Sequence, residues 1–235
     1  MNTYADLQKA LPIIETRIGY VFKKKSLLML AFIHCSFSNE NRNFTNHNER
    51  LEFLGDAILG FLVSDFLYSH LPDHAEGELS YLRDRLVESH ACFQYLQKLN
   101  VEQFLLVGRG EMMNIGKGTA TMRANLFEAI IGAVYVDGGI DKSRSFFFTH
   151  FKEDILQIIA NPLRNWKAEL QDFCQKKYHK PPEYRLIEEK GPDHLKTFFF
   201  EVYIDKKLLG KGEGTSKKKG EQQAAKNAIY GLGLH

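Results

Sequence analysis

A chain of 235 residues, 44% of them hydrophobic and 26% charged, has ordinary globular composition and room for one large domain or two smaller ones. Disorder throughout, collagen and mucin-like sequence are excluded. No apolar run reaches the roughly 18 to 20 residues of a membrane helix, and MNTYADLQKA lacks the basic and apolar regions of a signal peptide, so a soluble, cytoplasmic protein without a membrane partner is expected. The net charge of +2 hides a split: residues 1–161 carry 16 basic and 19 acidic side chains, and residues 162–235 carry 15 and 10. Such asymmetry hints at a nucleic-acid-binding module attached to something else.

In chain order, residues 1–152 read as nearly all helix. Pro12 is placed to open a helix through Ile13, Ile14 and Ile18, and Leu27, Leu28, Leu30 and Ala31 mark another. The Asn-rich stretch from Asn39 to Asn48 reads as a polar loop. Helices are predicted over about 48–69, 78–99, 119–137 and 140–159, with a loop from Gly108 to Gly118 between the middle two. Pro162 disfavours helix at Asn161, which sets a boundary: a helical domain over 1–152, a linker over 153–161 and a second domain over 162–235. That second domain reads as a helix at about 165–178, a strand at Tyr184–Glu188, a turn at Gly191-Pro192-Asp193-His194, and strands at Thr197–Ile204 and Leu208–Gly214. A last helix runs from about Lys217 to Leu232. Phe198, Phe200, Val202 and Ile204 share one face by the two-residue period. The pattern is a small α+β unit of α-β-β-β-α order, with two helices on one face of an antiparallel sheet. Cys35, Cys92 and Cys174 lie far apart without CxxC spacing and read as reduced thiols.

The stretch Asn48-Glu49-Arg50-Leu51-Glu52-Phe53-Leu54-Gly55-Asp56 is the most informative. At about 100° per residue Glu49, Glu52 and Asp56 fall within roughly 60° of one another, opposite Leu51, Leu54, Ile58 and Leu62. Like charges so spaced destabilise a helix by about 0.2 to 0.5 kcal/mol per pair, which a bound cation reverses. A solvated acidic face is the plain alternative, but Phe53 projects on the acidic side, where it would be left in water without a partner. Glu128, among small and apolar neighbours, is placed to complete a carboxylate set with Glu52 and Asp56. Hard oxygen ligands of this kind suit Mg²⁺ or Mn²⁺ rather than zinc.

Asn48 to Asp56 resembles the nine-residue signature of ribonuclease III. Glu76-Gly77-Glu78-Leu79-Ser80, Arg83, Leu86-Val87, Leu126-Phe127-Glu128-Ala129 and Val134-Tyr135-Val136-Asp137 resemble its further motifs in the same order. The resemblance implies a metal-dependent, homodimeric endonuclease that hydrolyses double-stranded RNA to 5′-phosphate products with short 3′ overhangs, with ribosomal, messenger and transfer RNA precursors as substrates. By position it makes Glu52, Asp56 and Glu128 metal-binding carboxylates, with Glu49 supporting the metal site or the RNA end and Glu76 in the same valley. It also makes Phe53 the aromatic that plugs into the partner subunit. One position departs: Asn125 stands where the family usually has an acid, still able to ligate through its carbonyl oxygen but bringing no charge. That departure keeps a second reading open, an impaired double-stranded RNA-binding protein whose nuclease domain serves only for dimerisation.

Ser216-Lys217-Lys218-Lys219-Gly220 opens the last helix with three lysines at the positive end of its dipole, an arrangement that favours an anion rather than stability. The whole segment resembles a double-stranded RNA-binding domain. The resemblance implies that Gln171 and His194 contact successive minor grooves and that Lys217, Lys218 and Lys219 bridge the phosphates between them. Gly220 replaces the usual Ala, a change expected to leave the contact surface intact. Lys117 and Arg123 are weaker candidates for backbone contacts.

Overall fold

The structure, a computed structural model, describes residues 3–41, 45–113, 119–160, 165–192 and 196–234. The chain divides into two compact units, Met1–Pro162 and Leu163–His235. The first holds helices α1 (Tyr4–Ile18), α2 (Lys25–Ala31), α3 (Cys35–Glu40), α4 (Glu49–His70), α5 (Glu76–Val87), α6 (Ser89–Leu99), α7 (Arg109–Met113), α8 (Thr119–Gly138) and α9 (Ile140–Ala160). The second runs α10 (Trp166–Tyr178), β1 (Glu183–Lys190), β2 (Thr197–Ile204), β3 (Lys207–Gly214) and α11 (Lys217–Gly231). A helical domain followed by an α-β-β-β-α module is the architecture the sequence pattern implies. None of the described helices is long and apolar enough to cross a membrane.

Three local expectations are corrected. Pro12 lies inside α1 rather than at its start, because Thr3 opens the helix: its Oγ1 accepts the Asp6 N–H at 3.2 Å and the Asp6 carboxylate accepts the Thr3 N–H at 3.0 Å. Pro12 sits on the exposed face, where the carbonyl that loses its partner is near water. The helix predicted over 78–99 is two helices, broken where Glu88 adopts an extended backbone (φ −63°, ψ 154°). Its carbonyl accepts the Cys92 N–H at 3.1 Å, which starts α6 afresh. Neither Gly nor Pro marks the break, and apolar periodicity continues across it. The linker expected over 153–161 is helical through Ala160, since Ile155 of α9 is buried in the core of the first unit.

At the centre of that core α8 is buried nearly all round, with Leu126, Phe127, Ala129, Ile130, Ile131, Ala133 and Val134 inaccessible to solvent. It meets α4 backbone to backbone. A Cβ on Gly55 would stand 1.8 Å from the Glu128 carbonyl oxygen, and one on Gly132 would stand 2.1 Å from the Leu51 carbonyl oxygen. These reciprocal glycines let the two helices approach more closely than side chains at both positions would permit. Asn48, also buried, fixes where α4 begins: its N–H donates to the Ile33 carbonyl at 2.9 Å and its Nδ2 to the Ala31 carbonyl at 3.2 Å.

In the second unit the sheet order is β1-β2-β3, antiparallel throughout. Phe200, Val202 and Ile204 point from β2 into a core shared with Leu170 and Cys174 of α10 and with Ala224, Ala225, Ala228 and Ile229 of α11. On β3, Gly210, Gly212 and Gly214 alternate beneath α11, where a Cβ would come within 2.6 Å, 2.1 Å and 2.5 Å of the helix backbone. Gly220 makes the same kind of approach from the helix side, 2.8 Å from the Phe200 ring for an added Cβ. The glycine that replaces the family's usual Ala is therefore the residue that fits over Phe200, and its lower helix propensity accompanies a tighter seam.

Candidate active site and nucleic-acid interface

The contact between α4 and α8 decides which side chains meet. Because Gly55 lies against the Glu128 carbonyl, Glu52 and Asp56 of α4 become neighbours of Asn125 and Glu128 of α8. Glu128 and Glu52 are half-buried and Asp56 and Glu49 are exposed. Burial first, and then the charges of Asp56 and Glu52, push the Glu128 carboxyl up to about 7. Burial, with the neighbouring Glu49 and Asp56 charges, likewise raises Glu52, while a hydrogen bond from the Asn125 side chain opposes that rise. A cluster of acids that disfavour their own ionisation is what a cation would relieve.

The same geometry separates the remaining candidates. Glu49 lies one turn before Glu52, with His47 Nδ1 3.6 Å from its carboxylate and the Cys35 thiol against it. Glu76, at the exposed start of α5, is engaged by Ser80 of its own helix, whose Oγ donates to Oε1 at 2.8 Å. Arg123 is half-buried with its guanidinium 5.6 Å from the Phe93 ring centre, and Lys117 falls outside the described residues.

In the second unit Gln171 is exposed on α10, and Lys217, Lys218 and Lys219 are exposed at the start of α11. Ser216 caps that helix by accepting the Lys219 N–H at 3.3 Å, and the other N–H groups of a first helical turn have no acceptor within the helix. His194 and Asp193 fall outside the described residues.

Residues 24–155 match the family model for Ribonuclease-III-like proteins, and residues 166–232 match that for the double-stranded RNA binding motif. Ribonuclease 3 of Protochlamydia amoebophila is 52% identical over 229 residues, covering 97% of this chain and 95% of that protein. The chain belongs to the ribonuclease III family. A second relative, ribonuclease 3 of Leptospira interrogans, is 39% identical over 223 residues, 93% of this chain and 89% of its own length. Among solved structures the nuclease domain of ribonuclease III from Campylobacter jejuni matches with a TM-score of 0.55 at 34% identity, over 60% of this chain and 94% of that one; that structure concerns a region involved in dimer formation of the nuclease domain.

Within this family fold, one neighbour of the acid cluster escapes a reading of the sequence. Cys92, fully buried on α6, directs its Sγ to Glu128 Oε1 at 3.7 Å and to the Val87 carbonyl at 3.4 Å. Burial and the Glu128 charge raise its thiol, so it acts as a neutral weak donor. It reaches Glu128 only because α5 and α6 break at Glu88, and no periodicity signals that break. Asn125, which the sequence already marks as a candidate ligand lacking a charge, also has its amide beside Glu52, where it lowers that carboxyl. Phe53 is 81% exposed, and it continues into a stripe along α4 through Phe61 and Tyr68, 52% and 77% exposed. Positions 53, 61 and 68 lie within about 80° on the helix, beside the acidic face.

Proposed function

We propose that this chain is an active, Mg²⁺-dependent, homodimeric endoribonuclease that hydrolyses double-stranded RNA to 5′-phosphate products with short 3′ overhangs. Its substrates in this reading are ribosomal precursors and other structured messenger and transfer RNAs, and Mn²⁺ substitutes for Mg²⁺. The observation that carries it is the glycine-to-glycine contact of α4 and α8, which brings Glu128 within reach of the charges of Asp56 and Glu52 and sets Asn125 beside Glu52, in one chain with a lysine-tipped α-β-β-β-α module.

The donor chemistry fits a hard divalent cation: oxygen ligands, with Glu128 and Glu52 both raised first by burial and then by neighbouring acids, Asp56 among them in each case. Among the described residues no three His, Cys, Asp or Glu side chains converge on one point as they stand. A divalent cation there would draw on these side chains with Asn125 and water, since Mg²⁺ retains several waters in carboxylate sites. When bound, the metal supplies Lewis-acid charge and a more acidic water. Glu52, Asp56 and Glu128 would hold it, Asn125 would keep the Glu52 carboxylate oriented, and Glu49 would support the metal site or the RNA end. Glu76 lies in the same valley in this reading. Gln171 and His194 read minor grooves, and Lys217, Lys218 and Lys219 neutralise phosphates between them.

Long duplex RNA with Mg²⁺ tests the proposal directly: cleavage to short duplexes supports it. Intact duplex at every Mg²⁺ and Mn²⁺ concentration, with binding retained, would favour the second reading, in which the helical domain only dimerises; Asn125 is the residue that favours it. Asn125→Asp is expected to lower the Mg²⁺ concentration needed for half-maximal cleavage by severalfold. It should also lower the melting temperature without metal, because a donor to Glu52 becomes a further negative charge. An unchanged Mg²⁺ titration places position 125 outside the metal shell.

Two binding predictions follow from exposed residues. Lys217→Ala combined with Lys218→Ala is expected to flatten the slope of log K against log salt for duplex binding by about two units if each touches a phosphate. A slope equal to wild type removes both from the RNA. Phe53→Ala is expected to weaken the dimer by about 2 kcal/mol, roughly 30-fold in dissociation constant, as for a central aromatic anchor. Sedimentation equilibrium checks this, and an unaltered constant means that the α4 stripe is not where the subunits meet.

A further inference from the structure

One residue on the helix-bearing side of the second unit opposes its apparent purpose. Glu189 pairs across the strands with Phe198, so its side chain stands on the same side of the sheet as α11. One carboxylate oxygen lies 3.7 Å from Lys217 Nζ at the start of α11, and the other 3.8 Å from Lys196 Nζ just before β2. Lys217 also sits 6.0 Å above the Phe198 ring. A single acid thus spans the gap between the end of the β1–β2 connection and the lysine-tipped helix.

At these separations the contacts are charge pairs rather than hydrogen bonds, and partly exposed pairs of this kind are weak. Lys217 can leave this weak pair for a phosphate with little loss of charge pairing. The carboxylate, fixed on a strand, stays behind and faces the polyanion. An enzyme that must discharge its cut duplex gains from a face whose charge is partly cancelled.

We infer that Glu189 is an electrostatic brake on RNA binding: it occupies Lys217 and Lys196 in the free protein and repels phosphate in the complex, which limits how tightly substrate and product are held. This rests on the reading of Lys217 as a phosphate contact. Full-length protein carrying Glu189→Gln, titrated with duplex RNA by fluorescence anisotropy without divalent metal, is the test. Uncovering one net positive charge steepens the salt slope by about 0.9, which at 0.15 M salt corresponds to binding about fivefold tighter. Glu189→Asp keeps the charge and is expected to bind as wild type. In a Lys217→Gln background the gain from Glu189→Gln should fall by at least half. Unchanged or weaker binding by Glu189→Gln, with thermal unfolding as in wild type, would overturn the inference. So would an equal gain from Glu189→Asp or an undiminished gain without Lys217. Failure of the wild-type chain to bind duplex at all would instead remove the RNA-binding reading beneath it.

Discussion

Glu128→Gln is expected to reduce duplex RNA cleavage by at least about 10³-fold, roughly 4 kcal/mol of barrier, and at the same time to raise the melting temperature of the metal-free protein. The first effect follows from the proposed metal-holding role, in which Glu128 is an anionic ligand in a set that already contains a neutral one, Asn125. The second follows from the proton affinity of the site. Glu128 is raised from an ordinary 4.5 to about 7, chiefly by burial and then by Asp56 and Glu52. A carboxyl raised on folding contributes stability below about pH 4.5 that is lost as pH rises through about 7. At pH 8 the folded chain therefore carries the cost of an ionised Glu128, and the neutral isostere does not. After screening at a partly exposed site this is about 1 to 2 kcal/mol, or roughly 3 to 6 °C for a domain of this size. Calorimetry in chelator should show the gap at pH 8 and its closure near pH 4.5, and saturating Mg²⁺ should stabilise wild type more than the variant. A variant less stable than wild type at pH 8 in chelator would contradict the burial and charge argument.

The other large effect is expected at two residues without side chains. Gly55→Ala or Gly132→Ala places a methyl group 1.8 Å or 2.1 Å from backbone carbonyl oxygens of the facing helix. Backbone cannot rotate away as a flexible side chain can, so α4 and α8 must part. Overpacking of a core usually costs about 1 to 3 kcal/mol, and with backbone as the obstacle about 3 kcal/mol or more is expected. That lowers the melting temperature by roughly 6 to 12 °C or leaves the protein insoluble. Gly77→Ala in the first turn of α5, where an added Cβ meets nothing within 4 Å, is the control and should be neutral or slightly stabilising. Equal melting temperatures for Gly55→Ala and Gly77→Ala would mean that α4 and α8 have room to spare. The loss at Gly55 should extend to catalysis in whatever protein remains folded, because the displaced carbonyl belongs to Glu128.

Much of this was legible because it is periodic. The 3.6-residue spacing of Leu51, Leu59 and Leu62 and the two-residue spacing of Phe200, Val202 and Ile204 place α4 and β2 without reference to any other element. The acid cluster was legible from α4 alone for Glu52 and Asp56, and Glu128 stood out as a charge in an apolar run. What periodicity cannot carry is the relation between elements. Nothing local says that Glu88 turns the chain, so Cys92 was unplaceable beside Glu128. Pro12 reads as a helix start until the Thr3 cap is seen to supply an earlier one. Asn125 illustrates a subtler limit: the sequence shows which charge is missing, while the donor it provides to Glu52 depends on two helices meeting. Glycines are similar. Gly55 and Gly132 look like weak points in helices until each is found against the other's backbone.

The glycine row of β3 has a further consequence for how this protein can vary. Gly210, Gly212 and Gly214 carry the weight of α11, while Lys211 and Glu213 between them face solvent. In a saturation library scored for duplex binding, β3 should therefore read as a comb. Positions that accept almost any side chain would alternate with positions that accept none, because any substituent there tilts the helix and moves all three of its lysines together. Drift in RNA affinity along this strand would then be confined to every second residue, and the spacing of the lysines against the sheet would be inherited unchanged.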